Sequence, residues 1–476
     1  MIEWLMVLGP IYILVLATLA WRSRDADQSE KEFLLGNAKL GLMVGLLTTA
    51  ASLFSTFTLQ GMPDFFRQHG IASWIFLAVA DGVMIFVIVW FAFYLRRKVS
   101  QKGFRGVGPL LNACYETPWA GRMYFLGIFI FLIPYVSIQI KGITIFLTAV
   151  FPAFMPTWAW GLLIVGIMLL YSETGGLKAI IFADVIQAVV LLAVVWIIAV
   201  VCLDKMGGVS EMFQQVERQN AALLSSPGPK GLLGPQFLFA SMLAIAFVPI
   251  TQPHITTRLV IMKSIRETHR MAIGIGVFAI LVILPTLFIG FYGAINYADL
   301  STSDFLSQVL LFDQLPWVAA LAVIGLLAAA ISTSDSQLFA MGTEFRGLFA
   351  EGISRMTMTR LAIVFFAVCA LAFSQIASDE LALLAISGFS GTALLGPMIL
   401  VAILTERPPA KWMIVVTGVG LICFLGSQFG LIPKAFLGMN LNWLIVAVLG
   451  GVAFFAASRN APFRTSESEE KSKTSR

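Results

Sequence analysis

The chain has 476 residues; 59% are apolar, only 12% are charged, and the mean hydropathy is +0.90. An ordinary soluble domain is about 25% charged, so a soluble enzyme, a disordered chain and a disulfide scaffold are excluded. Long apolar runs rather than alternation also exclude a transmembrane β-barrel, and a polytopic α-helical membrane protein remains.

Apolar windows long enough to span a bilayer fall at 4–21, 40–66, 72–95, 122–150, 158–171, 179–203, 236–253, 271–296, 315–343, 359–377, 381–404, 412–429 and 440–458. Thirteen spans put the two termini on opposite sides. No Lys or Arg precedes Arg22, so the first run reads as a permanent helix with its N-terminus outside, not as a cleaved signal. Of the 31 Lys and Arg residues, 25 fall on the predicted inner face, Arg258 among them. Five fall outside, and Lys141 lies within a span. This is the positive-inside pattern of a multi-pass plasma-membrane protein whose C-terminus is cytoplasmic. It also explains the net charge of +5 without nucleic acid. Residues 1–458 read as one transmembrane domain and 459–476 as a polar, disordered tail. The segment 297–314 is acidic and suits a short surface helix. Four scattered cysteines and three separated histidines give neither a disulfide framework nor a zinc site.

Polar groups inside spans are costly, so each is a functional candidate. The second span crowds Thr48, Thr49, Ser52, Ser55 and Thr56 just before Gly61 and Pro63. That pattern suits an interrupted helix whose freed carbonyls line a cavity; the alternative is hydroxyls bonded back to their own helix. Asp81 in the third span and Lys141 in the fourth have no assigned role. In the sixth span Asp184 and Gln187 share a face, and a lone buried carboxylate must be protonated, paired or bound to a cation. Pro249 and Pro253 interrupt the seventh span beside Gln252 and His254. Interruptions five spans apart point to a site between two inverted repeats. In the ninth span Ala329, Ser332, Thr333 and Ser336 lie on one helical face, bordered by Asp335. Hydroxyls and carbonyls without excess charge suit Na⁺ better than Mg²⁺ or Zn²⁺; the alternative is helix packing through small residues.

The stretch from Tyr171 through Gly175, Gly176 and Asp184 to Gln187 resembles the signature of the sodium:solute symporter family. The string 329–337 is similar to that family's sodium-binding helix, and Gln252-Pro253-His254 to the seventh helix of its proline-permease branch. The resemblance implies an all-α, leucine-transporter-type core of five-plus-five inverted-repeat helices, with repeats at about 40–203 and 236–404. It implies Na⁺ as the coupling ion, bound by backbone oxygens of Ala51, Phe54 and Ala329 and by the hydroxyls of Ser332 and Thr333. Asp184, Ser332 and Ser336 match a second sodium position of some members. Asp335 stands where those members carry serine, and two facing carboxylates are also able to share a proton. Tyr135, Gln139, Phe247, Gln252 and Ser55 are expected to line the solute pocket. Ile245 and Pro249 replace the tryptophan and tyrosine of proline permeases. The expected function is sodium-coupled import of a small amino acid, carboxylate or sugar-like solute. Its rivals are a proton-coupled symporter, a transporter-like sensor and a membrane enzyme.

Overall fold

A segment that crosses a bilayer must bond every backbone polar group internally, so an apolar chain of this kind folds as helices. The structure, a computed structural model, describes residues 1–23, 39–152, 154–349, 355–377, 381–436 and 438–458. The expected tail at 459–476 lies outside these residues, as do Arg24 and Lys31.

Eight helices are long and apolar enough to cross a membrane, ten counting two bent pairs, among the described residues. The first is α1 (Ile2–Ser23), which lays Tyr12, Leu16 and Ala20 against the bundle at helical spacing. The first bent pair is α2 (Leu42–Leu53), followed by a π-helical turn (Phe57–Gly61) and α3 (Met62–His69), with a 58° bend. Next come α4 (Ala80–Lys102), the short α5 (Val107–Tyr115) and α6 (Pro118–Val150). Helix α7 (Thr157–Lys205) is two helices joined at Gly176, whose φ of 58° and ψ of −159° are open essentially to glycine alone. That turn separates the fifth and sixth apolar windows.

The segment 204–235 carries the amphipathic α8 (Val209–Asn220). The second bent pair comprises α9 (Pro235–Ala246), α10 (Val248–Thr251) and α11 (Pro253–Ile261), bent by 54°. Then follow α12 (Ile265–Asn296), the short α13 (Thr302–Ser307) expected in the acidic segment, and α14 (Pro316–Arg346). The chain continues through α15 (Arg355–Ile376), α16 (Leu381–Ala393), α17 (Gly396–Leu404), α18 (Trp412–Gln428) and α19 (Leu441–Ser458). A two-stranded hairpin (Ala435–Phe436 with Met439–Asn440) precedes α19. Residues 157–170, 412–428 and 441–457 are shorter apolar helices. Every predicted window therefore coincides with helix.

The two bent pairs run in opposite directions. Leu40, at the start of the first, exchanges backbone hydrogen bonds with Ile261 and Lys263, at the end of the second. Arg96 of α4 donates to the carbonyls of Leu259, Val260 and Met262, closing the C-terminal end of α11 where a cation is favoured. Arg67 of α3, one of the five basic residues placed on the outer face from sequence, is buried. It bonds Asp64 at 2.7 Å and the carbonyls of Tyr297, Ala298 and Leu300, and lies over the Phe305 ring. The far half of the first bent pair is thereby pinned to the segment after α12.

Hydropathy does not reveal one buried carboxylate. Glu344, near the end of α14, accepts from the N–H groups of Val107 (2.6 Å) and Gly108 (2.7 Å) at the start of α5. It supplies the cap that α5 lacks locally, where the N-cap is Gly106. Glu344→Ala orphans two buried donors and should cost about 2 kcal/mol or more. Its melting midpoint in detergent should fall below that of Glu344→Gln, which keeps one acceptor. Equal midpoints would refute the capping role.

Candidate ion and solute site

Helix α2 stops at Phe54, whose ψ of 112° takes the chain out of helical register in the middle of the bundle. The carbonyls of its last turn lose their partners. Ala50 O keeps an i+4 partner, the Phe54 N–H. Ala51 O is met from α14, where Ser332 Oγ (3.1 Å) and Thr333 Oγ1 (3.2 Å) both approach it. Ala329, one turn earlier on α14, is buried on the same face. The structure thus brings Ala51, Ser332 and Thr333 into direct contact, with Phe54 at the break itself.

On the other side of the break, the N–H groups that begin the second half are all engaged. Ser55 N–H donates to Thr58 Oγ1, Thr56 N–H to Gln139 Oε1, Phe57 N–H to Ser55 Oγ, and Thr58 N–H to Ser55 O. Gln139 comes from α6, which approaches closely because Gly142 has no side chain. A Cβ there would overlap Thr56 and the Gln60 amide. Gln60 Nε2 donates to the Gly142 carbonyl.

Asp184 is fully buried, and it is paired. Its Oδ2 accepts from Arg258 (2.7 Å) and from Thr48 Oγ1 (2.6 Å), and its Oδ1 from Ser332 Oγ (2.6 Å). Arg258 also donates to Thr48 Oγ1, to the His254 carbonyl and to Ser336 Oγ, which accepts from Ser52 as well. Counting Arg258 among the inner-loop charges was therefore wrong. Pro253 does not end the seventh span; it occupies the first position of α11, which carries Arg258 one turn inward to 1% exposure. The i, i+4 spacing of His254 and Arg258 was the signal available in sequence. Asp335, by contrast, is 2% exposed with neither carboxylate oxygen hydrogen-bonded among the described residues. Gln187 donates to the Tyr12 hydroxyl of α1.

A small, partly open cavity of about 40 Å³ lies where the two bent pairs meet. Tyr135 and Gln252 line it. Ser55 and Gln139 stand behind it, bonded to each other and to the break. Phe247 is not among the residues lining this cavity; it packs on Gly396 of α17, where a Cβ would overlap its ring. Ile245 and Val248, on the other face of that bend, form the wall instead. Sequence reasoning also missed Phe57 and Phe389, and it left Asp81, which enters the cavity from α4, without a role. Lys141 does not reach the cavity; its ammonium donates to the Ala377 carbonyl.

The profile described as the sodium:solute symporter family matches residues 33–412. The chain belongs to this family. It is a sodium-coupled symporter of small solutes, a multi-pass membrane protein and not an enzyme, and Na⁺ is its coupling ion. Among curated relatives, the sodium/pantothenate symporter of Haemophilus influenzae is 25% identical over 337 residues, 69% of this chain and 68% of that protein. The high-affinity proline transporter PutP of Bacillus subtilis is 23% identical over 403 residues, 80% of this chain and 83% of that protein. Among solved structures, a Na⁺-coupled sialic acid symporter superposes with a TM-score of 0.77 at 16% identity, covering 97% of this chain and 98% of that one. MhsT in complex with L-phenylalanine gives 0.57 at 14% identity, covering 88% and 99%. The fold of this symporter is accordingly the leucine-transporter type.

The Asp184–Arg258 pair has a testable signature. Arg258→Met strands a buried carboxylate, a loss of about 3–5 kcal/mol. Adding Asp184→Asn removes the stranded charge. Melting midpoints should rank wild type, then the double variant, then Arg258→Met. A double variant less stable than the single one would contradict the pairing.

Proposed function

We propose that Na⁺ binds between α2 and α14, held by the carbonyl oxygens of Ala51, Phe54 and Ala329 and the hydroxyls of Ser332 and Thr333. The observation that carries this reading is the convergence of two hydroxyls on the Ala51 carbonyl beside a helix break. Each hydroxyl keeps lone pairs after donating its one hydrogen, and neutral oxygens suit a hard monovalent cation. Ser332 has two acceptors in reach, Ala51 O and Asp184 Oδ1, and one hydrogen to serve them. That excess of acceptors favours a cation.

The reading assigns a single Na⁺ to this site. Asp184 and Ser336, the residues matching a second sodium position, are engaged by the Arg258 guanidinium. The free carboxylate oxygens of Asp335 favour a second reading, in which that group carries an additional cation, H⁺ or Na⁺.

Bound Na⁺ would hold α2 against α14 and favour one state of the alternating-access cycle. The solute would then occupy the cavity at the two breaks, with Tyr135 and Gln252 facing it and Ser55 and Gln139 shaping the break. Repeats at 40–203 and 236–404 would move against each other to release both on the opposite side. The names of the relatives above specify pantothenate and proline, which supports a small organic solute here. One Na⁺ moving down about 100 mV contributes about 2.3 kcal/mol, and a tenfold gradient about 1.4, enough for a few-hundredfold accumulation. We place the chain in the lipid bilayer of the plasma membrane with thirteen crossings, N-terminus outside and C-terminus in the cytoplasm, on the basic-residue asymmetry of its loops.

A ligand that binds only the folded state raises its melting temperature. Na⁺ should therefore raise the midpoint of the purified protein over K⁺ at equal ionic strength. Ser332→Ala and Thr333→Ala should each reduce that rise, and in transport should raise the half-saturating Na⁺ concentration more than the solute KM. A solute KM that collapses while Na⁺ dependence stays intact would overturn the assignment.

A further inference from the structure

The cavity at the breaks holds one carboxyl side chain. Asp81 is 8% exposed and lines it, and no hydrogen bond or ion pair reaches its carboxylate among the described residues. None of the residues lining the cavity is Lys, Arg or His. A buried carboxylate without a counter-charge is expensive in a low-dielectric setting. Such a group is met either by a proton or by a cation that enters.

The helix break adds an independent observation. The start of a half-helix inside a membrane commonly receives the carboxylate of a solute, because its N–H groups are free. Here the N–H groups of 55, 56, 57 and 58 are all taken by Thr58, Gln139 and Ser55. The receptor for an anionic group is closed from within the protein.

The walls add a third. Phe54, Phe57, Tyr135 and Phe389 present aromatic rings, and Met62 and Met84 polarizable thioethers. A polyol would need several hydrogen-bonding partners, or its own hydroxyls would be stranded. Apart from Asp81, only Ser52, Tyr135 and Gln252 bring polar side chains, and Ser52 and Tyr135 are already bonded within the protein. Gln252 Nε2 has no hydrogen-bond partner among the described residues and suits one neutral acceptor.

We propose that the solute is a small organic cation without a free carboxylate. Its ammonium group meets Asp81, its apolar body lies against the rings, and one neutral polar group reaches Gln252. This rests on reading the cavity as the solute site of the symporter. A cation near aromatic faces is attracted by their quadrupoles, and a carboxylate solute would face like charge at Asp81.

The test uses the purified full chain in Na⁺, with melting midpoint as readout. The probes are choline, tetramethylammonium and phenethylammonium. Set against them are 3,3-dimethyl-1-butanol, the uncharged shape-match of choline, the carboxylate pantothenate and the zwitterion L-proline. At least one cation should raise the midpoint where the uncharged and carboxylate probes do not. Asp81→Asn should weaken that cation by about tenfold or more while keeping the Na⁺ shift, which reports that the variant is folded. Asp81→Glu, which retains the charge, should keep cation binding to within about tenfold. The proposal is overturned if no cation registers, if pantothenate or proline binds as well as any cation, or if Asp81→Asn leaves cation binding unchanged. Loss of the Na⁺ shift itself in Asp81→Asn would also overturn it, because Asp81 would then hold the coupling ion. Asp81-dependent cation binding in a wild-type protein indifferent to Na⁺ would support this proposal and sink the ion-site reading alone.

Discussion

A helix that breaks inside a membrane must find new partners for the backbone groups it frees, because lipid offers none. The rest of this symporter is arranged around how that demand is met at Phe54–Thr56. On one side of the break, the Ala51 carbonyl faces the hydroxyls of Ser332 and Thr333, an oxygen-rich corner. On the other, Gln139, Ser55 and Thr58 consume the N–H groups. The break is therefore asymmetric. It offers acceptors to a cation and withholds donors from an anion. Both the ion site and the solute preference proposed above follow from that asymmetry.

The charged core ties the two breaks together. Arg258 comes from α11, Asp184 from α7, Thr48 from α2, and Ser332 and Ser336 from α14; all meet within hydrogen-bond distance. A displacement of α2 along α14 must change the partners of Thr48, Ser52 and Ser332 together. An ion bound at the Ala51 corner thus shares Ser332 with the buried Asp184–Arg258 ion pair, which reaches the second bent helix. Such sharing is a physical route by which ion occupancy biases the arrangement of both broken spans. The ends of these spans are tied separately, by Leu40 to Ile261 and by Arg67 to the segment after α12.

Much of this was legible in the sequence, for reasons that can be named. Hydropathy located the helices because a bilayer admits little else. Pro249 and Pro253 flagged the second interrupted span, but Gly61 and Pro63 lie inside continuous helix beyond the first break at Phe54–Thr56, and Pro10, Pro134 and Pro285 sit within unbroken helices. The stripe Ala329, Ser332, Thr333 and Ser336 was readable because helical periodicity puts those positions on one face. Partnerships across helices were not readable. Arg258 looked like a loop charge because a proline preceded it, and only the continuation of the helix into α11 carries it to Asp184. Phe247 looked like a pocket residue because it borders the break, yet the bend turns it toward Gly396. Asp81 had no sequence neighbour to define it; only the fold brings it to the cavity. Glu344 caps a helix more than two hundred residues away in sequence, which no local pattern encodes.

Direct binding of radioactive ²²Na⁺ to the purified chain tests the central claim, that the corner formed by Ala51, Ser332 and Thr333 receives the coupling ion. The account predicts saturable binding that unlabelled Na⁺ displaces and K⁺ does not, and that Thr333→Ala weakens while the variant stays folded. Binding of undiminished affinity in Thr333→Ala would contradict it, because the ion would then be held elsewhere in the bundle.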